Sequence, residues 1–218
     1  KPFWQHVIRS VLDVEAAEVI LVNNSPRDPL NRKLHQISKV RVLEPGRNIG
    51  AAAAWNLGSK HSIGDIILFS ADDILLHPGT IRKAVSLVSR DLPFVYGDYG
   101  IVRYRNSEFE LIAEHKARPF DKEVLLDGIY SGYVSNYIDG ASPMRRDIFP
   151  GFDVNIPRFI DWDLWARIVK KGHVGLYLPE TMFDTIDHPE RGITRNDNSA
   201  LRALRVIRSK WRARSELT

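Results

Sequence analysis

The chain has 218 residues, 44% of them apolar and 27% charged, which is the composition of a globular protein long enough for one well-buried domain or one domain with an appendage. It contains no cysteine, so disulfides, thiolate metal sites and cysteine nucleophiles are excluded. No apolar run approaches the ~20 residues needed to span a bilayer, and the net charge of +4 is unevenly placed: residues 198–218 carry +5 and the remainder −1.

The chain opens with Lys1, shows no signal peptide, and enters a helical pattern at once through Phe3, Val7, Ile8, Val11 and Leu12. We expect a fragment or processed form whose first strand is missing. Glu18–Val22 reads as a strand that ends in the polar turn Asn23-Asn24-Ser25-Pro26-Arg27-Asp28-Pro29. A short strand at Val40–Leu43 ends in Glu44-Pro45-Gly46-Arg47-Asn48-Ile49-Gly50, and Ala51–Leu57 reads as a small-residue helix able to pack closely on a sheet.

The next segment carries the most information. Ile66–Phe69 is an apolar run that reads as a buried strand, and it stops abruptly at Ser70-Ala71-Asp72-Asp73. Ligands of open α/β sheets bind beyond the carboxyl ends of such strands. Carboxylates placed there can hold a hard cation, and the cation can hold a diphosphate. In extended chain Ser70 and Asp72 share one face and Asp73 takes the other, unless the chain turns between the two acids. The bland alternative is that the pair caps the helix that follows, from about Thr80 to Ser89, or solvates a loop.

After Pro93 the rhythm changes. Phe94–Tyr104 and Phe109–Ala113 read as strands joined at Asn106-Ser107 by a hairpin. Residues 116–157 are irregular, and Tyr130, Tyr133 and Tyr137 favour an ordered, ligand-facing loop. A helix over Asp161–Lys171 and a strand at Val174–Leu178 follow. Strands alternating with helices in this way indicate an α/β fold with a mostly parallel sheet.

Several segments in order resemble the family 2-type glycosyltransferases of the GT-A fold. They are Asn48-Ile49-Gly50, Ala54-Trp55-Asn56-Leu57-Gly58, Gly64-Asp65 before the strand, and the strand-end acids. Gly140-Ala141-Ser142-Pro143-Met144-Arg145-Arg146, Gly151-Phe152-Asp153 and Asp161-Trp162-Asp163-Leu164-Trp165-Ala166-Arg167 continue the likeness, which covers residues 3 to 195. The resemblance implies a GT-A domain over residues 1–196, followed by a basic helix at 197–218. It also implies transfer of a sugar from a nucleoside-diphosphate donor to a hydroxyl of a glycan or lipid-linked acceptor, with inversion and with Mg²⁺ or Mn²⁺. The implied setting is cytoplasmic assembly of a surface polysaccharide or glycoconjugate.

By motif position, Ser70 stands at the first acid of the family's Asp-x-Asp and Asp72 at the second, which makes Asp72 the metal ligand and leaves Ser70 only a hydroxyl. His188, in Thr185-Ile186-Asp187-His188, matches a late His that ligates the metal in some members. Asn23, Asn24, Ser25 and Asp28 fall where members bind the nucleotide, with Asn48, Gly50 and Asn56 beside them. Asp161 takes the position of the base that removes the acceptor proton, with Asp163 as second choice. Acids in a first helical turn also cap free N–H groups, and that environment lowers a pKa and weakens a base. Where the family carries Glu before this Asp, the chain has Ile160.

Three functions compete on these residues: an active transferase, a non-catalytic nucleotide-sugar-binding relative, and a nucleic-acid module driven by the basic tail. The last ranks lowest, because the nearly neutral body offers no companion basic face. The tail places Leu201, Leu204, Ile207 and Trp211 at helical spacing among six cations. It reads either as a helix packed on the body or as a peripheral anchor to anionic lipid at the inner face of the membrane.

Overall fold

The computed structural model describes residues 3–25, 32–131, 136–188 and 197–215. Helix α1 (Trp4–Asp13) precedes β1 (Val19–Val22), a 3₁₀ turn at Arg32–Gln36, and β2 (Val40–Leu43). Then come α2 (Ala51–His61), β3 (Ile66–Ile67), β4 (Ile74–Leu76), α3 (Pro78–Leu87), β5 (Phe94–Arg105) and β6 (Glu108–His115). The chain closes with α4 (Lys122–Ser131), β7 (Met144–Arg145), α5 (Ile160–Lys170), β8 (Gly175–Asp187) and α6 (Asp197–Ser215).

Two parallel pairings form the frame, β1 with β2 and β5 with β8. Short antiparallel strands complete a six-stranded sheet in the order β3-β7-β5-β8-β4, with β6 paired to β5. Because β7 runs antiparallel to both β3 and β5, strands β3, β5 and β8 all point the same way. Helix α2 links the two sheets: its Gly58 backbone lies against Val22 and Ile20 of β1, while its Trp55 ring meets Phe69 just past β3.

The apolar run beginning at Ile66 makes a shorter strand than its composition suggests. Only Ile66 and Ile67 pair, both with β7, and burial alternates along the run, with Ile67 and Phe69 inward. A ladder on one edge only does not hold the run extended on both faces. At the β5–β6 hairpin the two loop residues, Asn106 and Ser107, both have positive φ (50° and 67°), as a tight turn matching strand twist demands.

The main core lies between the sheet and α4, α5 and α6. Phe94 stacks near Trp165 at 4.8 Å between ring centroids, and Trp162, Trp165 and Trp211 are fully buried. Each such aromatic contributes roughly 1.5–3 kcal/mol by leaving water. The apolar stripe of α6 is part of this core, with Ile207 and Trp211 buried in it, Leu204 packed against it and Leu201 exposed. Among the described residues, no helix is long and apolar enough to cross a membrane.

Candidate active site

Four chain segments converge beyond the carboxyl ends of the parallel strands. Asn23–Ser25 follow β1, residues 44–50 follow β2, Ser70–Asp73 follow β3, and His188 follows β8. A level row runs across the sheet through Ile67, Met144, Phe94 and Gly175. Ser70 lies three residues beyond that row, about 10 Å at strand rise. Asp161 lies four residues before Trp165, which packs on Phe94, so it rises about 6 Å along α5. Gly140, four residues before Met144 on the approach to the antiparallel β7, adjoins Asp161, so the start of α5 and the Ser70–Asp73 turn share one end of the sheet.

The first wall is built from amide side chains. Asn23 Oδ1 accepts the Ser25 N–H at 3.1 Å, closing the turn after β1. Asn24 Oδ1 accepts the Ile49 N–H at 2.8 Å and so ties that turn to the loop after β2. Asn48 Oδ1 accepts the Gly50 N–H at 2.9 Å. Gly50 opens α2 at φ 81°, a conformation that suits glycine, and a Cβ there would meet nothing within 4 Å. Its requirement is conformational, and the space beside it is open. Asp28 lies outside the described residues.

Asn56 has a structural task. Its Nδ2 donates to the Phe152 carbonyl at 2.8 Å and its Oδ1 accepts the Phe152 N–H at 2.7 Å. With both ends of the amide engaged by one backbone, it clasps the loop after β7 to α2.

Asp72 and Asp73 occupy the centre of a turn closed by the Ile74 N–H on the Ala71 carbonyl at 3.3 Å. Strand β4 separates them from α3, whose cap is His77, so neither acid caps that helix. Asp72 is exposed, whereas Asp73 is drawn back towards β8: its carbonyl accepts the Ile186 N–H at 2.8 Å. The carboxylate beside His188 is that of Asp73, 3.7 Å from Nε2, and the buried imidazole packs on Phe3 at 5.2 Å. Ser70 gives its carbonyl to the Trp55 indole N–H at 3.1 Å, and its buried hydroxyl has no hydrogen-bond partner among the described residues.

Asp161 and Asp163 part company at the start of α5. Asp163 is fully buried and accepts from Arg167 Nε (2.8 Å), Lys210 Nζ (2.7 Å) and Trp211 Nε1 (3.2 Å). It is a structural ion that joins α5 to α6, and its enclosure leaves no approach for a substrate hydroxyl. Asp161 keeps partial exposure and accepts from Asn136 Nδ2 at 2.9 Å. Burial of its carboxylate, reinforced by the negative charge of Asp139, pushes its pKa up to about 7. The amides of Trp162 and of Asp161 itself, with Asn136, oppose the shift without cancelling it. The depressed pKa expected of a first-turn acid is thus reversed, because burial outweighs the helix N–H groups. The preceding Phe159 holds a left-handed conformation at φ 59°, of the strained kind that clusters at functional sites.

Asp98 lies within β5 beside an irregularity in the β5–β8 register. Burial works to raise its pKa, but hydrogen bonds from Tyr177 Oη (2.8 Å), the Ala117 N–H (2.9 Å) and Lys116 hold it below the usual range. Sequence reasoning passed over Asn136 and Asp139, the neighbours of Asp161. Their one signal was the polar flank they give Tyr137 in the tyrosine-rich loop.

A family model described as "Glycosyl transferase family 2" matches residues 2–151. Among curated proteins, the chain is 28% identical over 160 residues to YwdF of Bacillus subtilis (strain 168), described as an uncharacterized glycosyltransferase. That match covers 70% of this chain and 57% of YwdF. Among solved structures, S. aureus TarS 1-349 in complex with UDP superposes with a TM-score of 0.60 at 13% identity, covering 94% of this chain and 60% of that one. A second TarS 1-349 structure gives 0.59 at 12% identity, covering 84% and 56%. At these identities the superpositions speak for the fold, which is that of GT-A-type proteins. The chain spans a little over half the length of these relatives.

Proposed function

Because the chain belongs to glycosyl transferase family 2, we propose that it moves a sugar from a nucleoside-diphosphate donor to a hydroxyl acceptor with inversion at the anomeric carbon. The observation that carries the catalytic reading is Asp161: a carboxylate set deep in a residue that keeps partial exposure, oriented by Asn136, with a proton affinity suited to a general base near neutrality. Asp161 removes the acceptor proton as the acceptor oxygen bonds to the anomeric carbon. The bond from that carbon to the diphosphate oxygen breaks, and the nucleoside diphosphate leaves with the electron pair. In this reading the nucleotide sits on the loops set by Asn23, Asn24 and Asn48; TarS, which shares the fold, is described in complex with UDP.

The residues present suit a divalent ion that is completed by substrate. Among the described residues no cluster of three or more His, Asp or Glu forms a closed cage. Mg²⁺ is commonly held by one or two carboxylates with substrate phosphates filling the remaining positions. Asp72, exposed in its turn, is the carboxylate for that role, and His188 stands behind it through Asp73. The buried Ser70 hydroxyl supplies a neutral donor where the family carries an acid. A bound ion there offsets the charge that develops on the leaving diphosphate.

Calorimetry of UDP with and without Mn²⁺ tests this arrangement. The expected result is tighter UDP binding with Mn²⁺ and loss of that gain in Asp72→Ala; equal affinity in all four titrations rejects the metal role. A second reading, a non-catalytic binder, is favoured by Ser70 and Ile160 at positions the family fills with acids. It is upheld by UDP binding without turnover on any nucleotide sugar of a broad panel. As a setting we propose cytoplasmic assembly of a surface glycan.

A further inference from the structure

The end of the sheet opposite the candidate active site carries a cavity of about 740 Å³, a volume that holds a small organic ligand. Helix α2 opens beside the site at Gly50 and runs 11 residues, about 16 Å, so Lys60 in its last turn stands at the far end. Asp65 just before β3, the segment Val88–Arg90 after α3, and the turn that follows β7 complete the lining. Ile66, Val88 and Phe149 are its half-buried apolar part.

The charged part of the lining is unbalanced. Lys60, Arg90, Arg145 and Arg146 stand against only Asp65 and Asp147, in a chain that sums to −1 outside residues 198–218. Asp147 is taken by Arg145, whose Nε donates to Oδ1 at 2.9 Å. Arg146 donates from Nη1 to the Ser62 carbonyl at 3.0 Å, and its N–H donates to the Asp65 carbonyl at 2.8 Å. Helix carbonyl ends attract cations, and Arg146 answers the end of α2 in that way. Lys60 and Arg90 do not: among the described residues neither makes a hydrogen bond or an ion pair.

We propose that this cavity is a second binding site, separate from the candidate active site, and that it takes a sugar phosphate. A phosphate monoester carries a charge of about −1.5 to −2 near neutrality, which the two unengaged cations match. The Arg146 guanidinium is already held in place by Ser62, so it loses little freedom on donating its remaining N–H groups to phosphate oxygens. Ile66, Val88 and Phe149 offer the apolar surface on which the C–H face of a sugar ring rests. The proposal is independent of the roles given to Asp161 and Asp72, which lie at the other end of the sheet.

The experiment is a titration of the full chain with glucose 6-phosphate, followed by calorimetry and by backbone amide NMR, with glucose and inorganic phosphate as controls. Saturable binding of glucose 6-phosphate is expected, tighter than that of either control. The amide resonances of Ser89 and Arg146 should shift, while those of Asn24 and Ile49 at the opposite end stay in place. In Lys60→Gln/Arg90→Gln the affinity should fall by about tenfold or more, since two charge-assisted contacts are lost, and UDP affinity should be unchanged. No saturable binding of glucose 6-phosphate overturns the proposal, as does equal affinity in the double variant. Shifts confined to Asn24 and Ile49 overturn it too, because the ester then occupies the candidate active site. Glucose binding as tightly as its phosphate removes the role of the cations, and inorganic phosphate binding as tightly removes that of the apolar lining; either result overturns the assignment of the ligand. Both substituted side chains are exposed; if the double variant nevertheless fails to fold, the amide shifts of the unmodified chain decide.

Discussion

Asp163 on α5 and Lys210 on α6 meet at 2.7 Å, and the same lysine reaches Asp153 at 2.6 Å, so one ammonium closes α6 over the loop that Asn56 holds. With Arg167 and Trp211 also on Asp163, two helices and, through Lys210, the Asp153 loop depend on one buried carboxylate. Removing one partner of a buried pair strands the others, at a cost of about 3–5 kcal/mol. Asp163→Ala is expected to lose that much in urea unfolding, and Asp163→Asn less. Activity per folded molecule should persist in both; a specific loss of turnover in a fully folded Asp163→Asn would restore Asp163 as a catalytic candidate.

Asn56→Ala removes two hydrogen bonds to the Phe152 backbone. The expected cost is roughly 1–3 kcal/mol, since both backbone groups lose their partner. UDP affinity of the folded variant should match that of the parent. A tenfold weakening without loss of stability would return Asn56 to the nucleotide site.

Asp161 makes folding stability depend on pH with a definite sign. Its folded pKa, about 7, lies above the ordinary carboxylate value, so the folded chain binds the proton more tightly than the unfolded chain. That contribution is fully present below the unfolded pKa and is lost as pH rises through the folded value. Asp161→Asn should therefore stabilise the protein at pH 8 relative to its parent by roughly 1–3 kcal/mol, with the gain vanishing near pH 4. Thermal melts of the pair across this range provide the check, and a gain independent of pH contradicts the assignment.

Gly175 faces Phe94 across the β5–β8 pairing, and a Cβ there would come within 2.0 Å of the ring. Phe94 is fully buried against Trp165 and Phe120, which gives it no room to withdraw. Gly175→Ala should cost about 1–3 kcal/mol through overpacking. Gly175→Ala combined with Phe94→Leu should recover part of that loss, and independent, additive losses would show that the ring does not set the requirement.

The elements that were legible in the sequence are those whose signals are local. Helical spacing from Phe3 and around Asp161, the apolar run at Val19–Val22, and Asn106-Ser107 between two alternating segments each specify their own structure. What escaped depends on partners. Strand β7 is two residues long and exists because Met144 pairs with both Ile67 and Phe94. Strand β8 runs on past Pro179 because two extra residues are absorbed where Gly97 pairs with Leu178 and Asp98 with Thr181. The same holds at the site. The motif offers Asp161 and Asp72 as candidates, but the engagement of Asn56 with a residue 96 positions away could not be read locally. Nor could the bond from the Trp165 indole to the Asp139 carbonyl, which ties α5 to the loop before β7.

The central claim, that Asp161 is the base of a glycosyl transfer, is tested most directly by turnover of a nucleotide-sugar panel with Mn²⁺ and a library of hydroxyl acceptors. The unmodified chain and Asp161→Asn are compared, and UDP binding is measured on the same samples. The account predicts transfer reduced by about 10²–10⁴-fold with UDP affinity unchanged. Undiminished transfer by Asp161→Asn would contradict it.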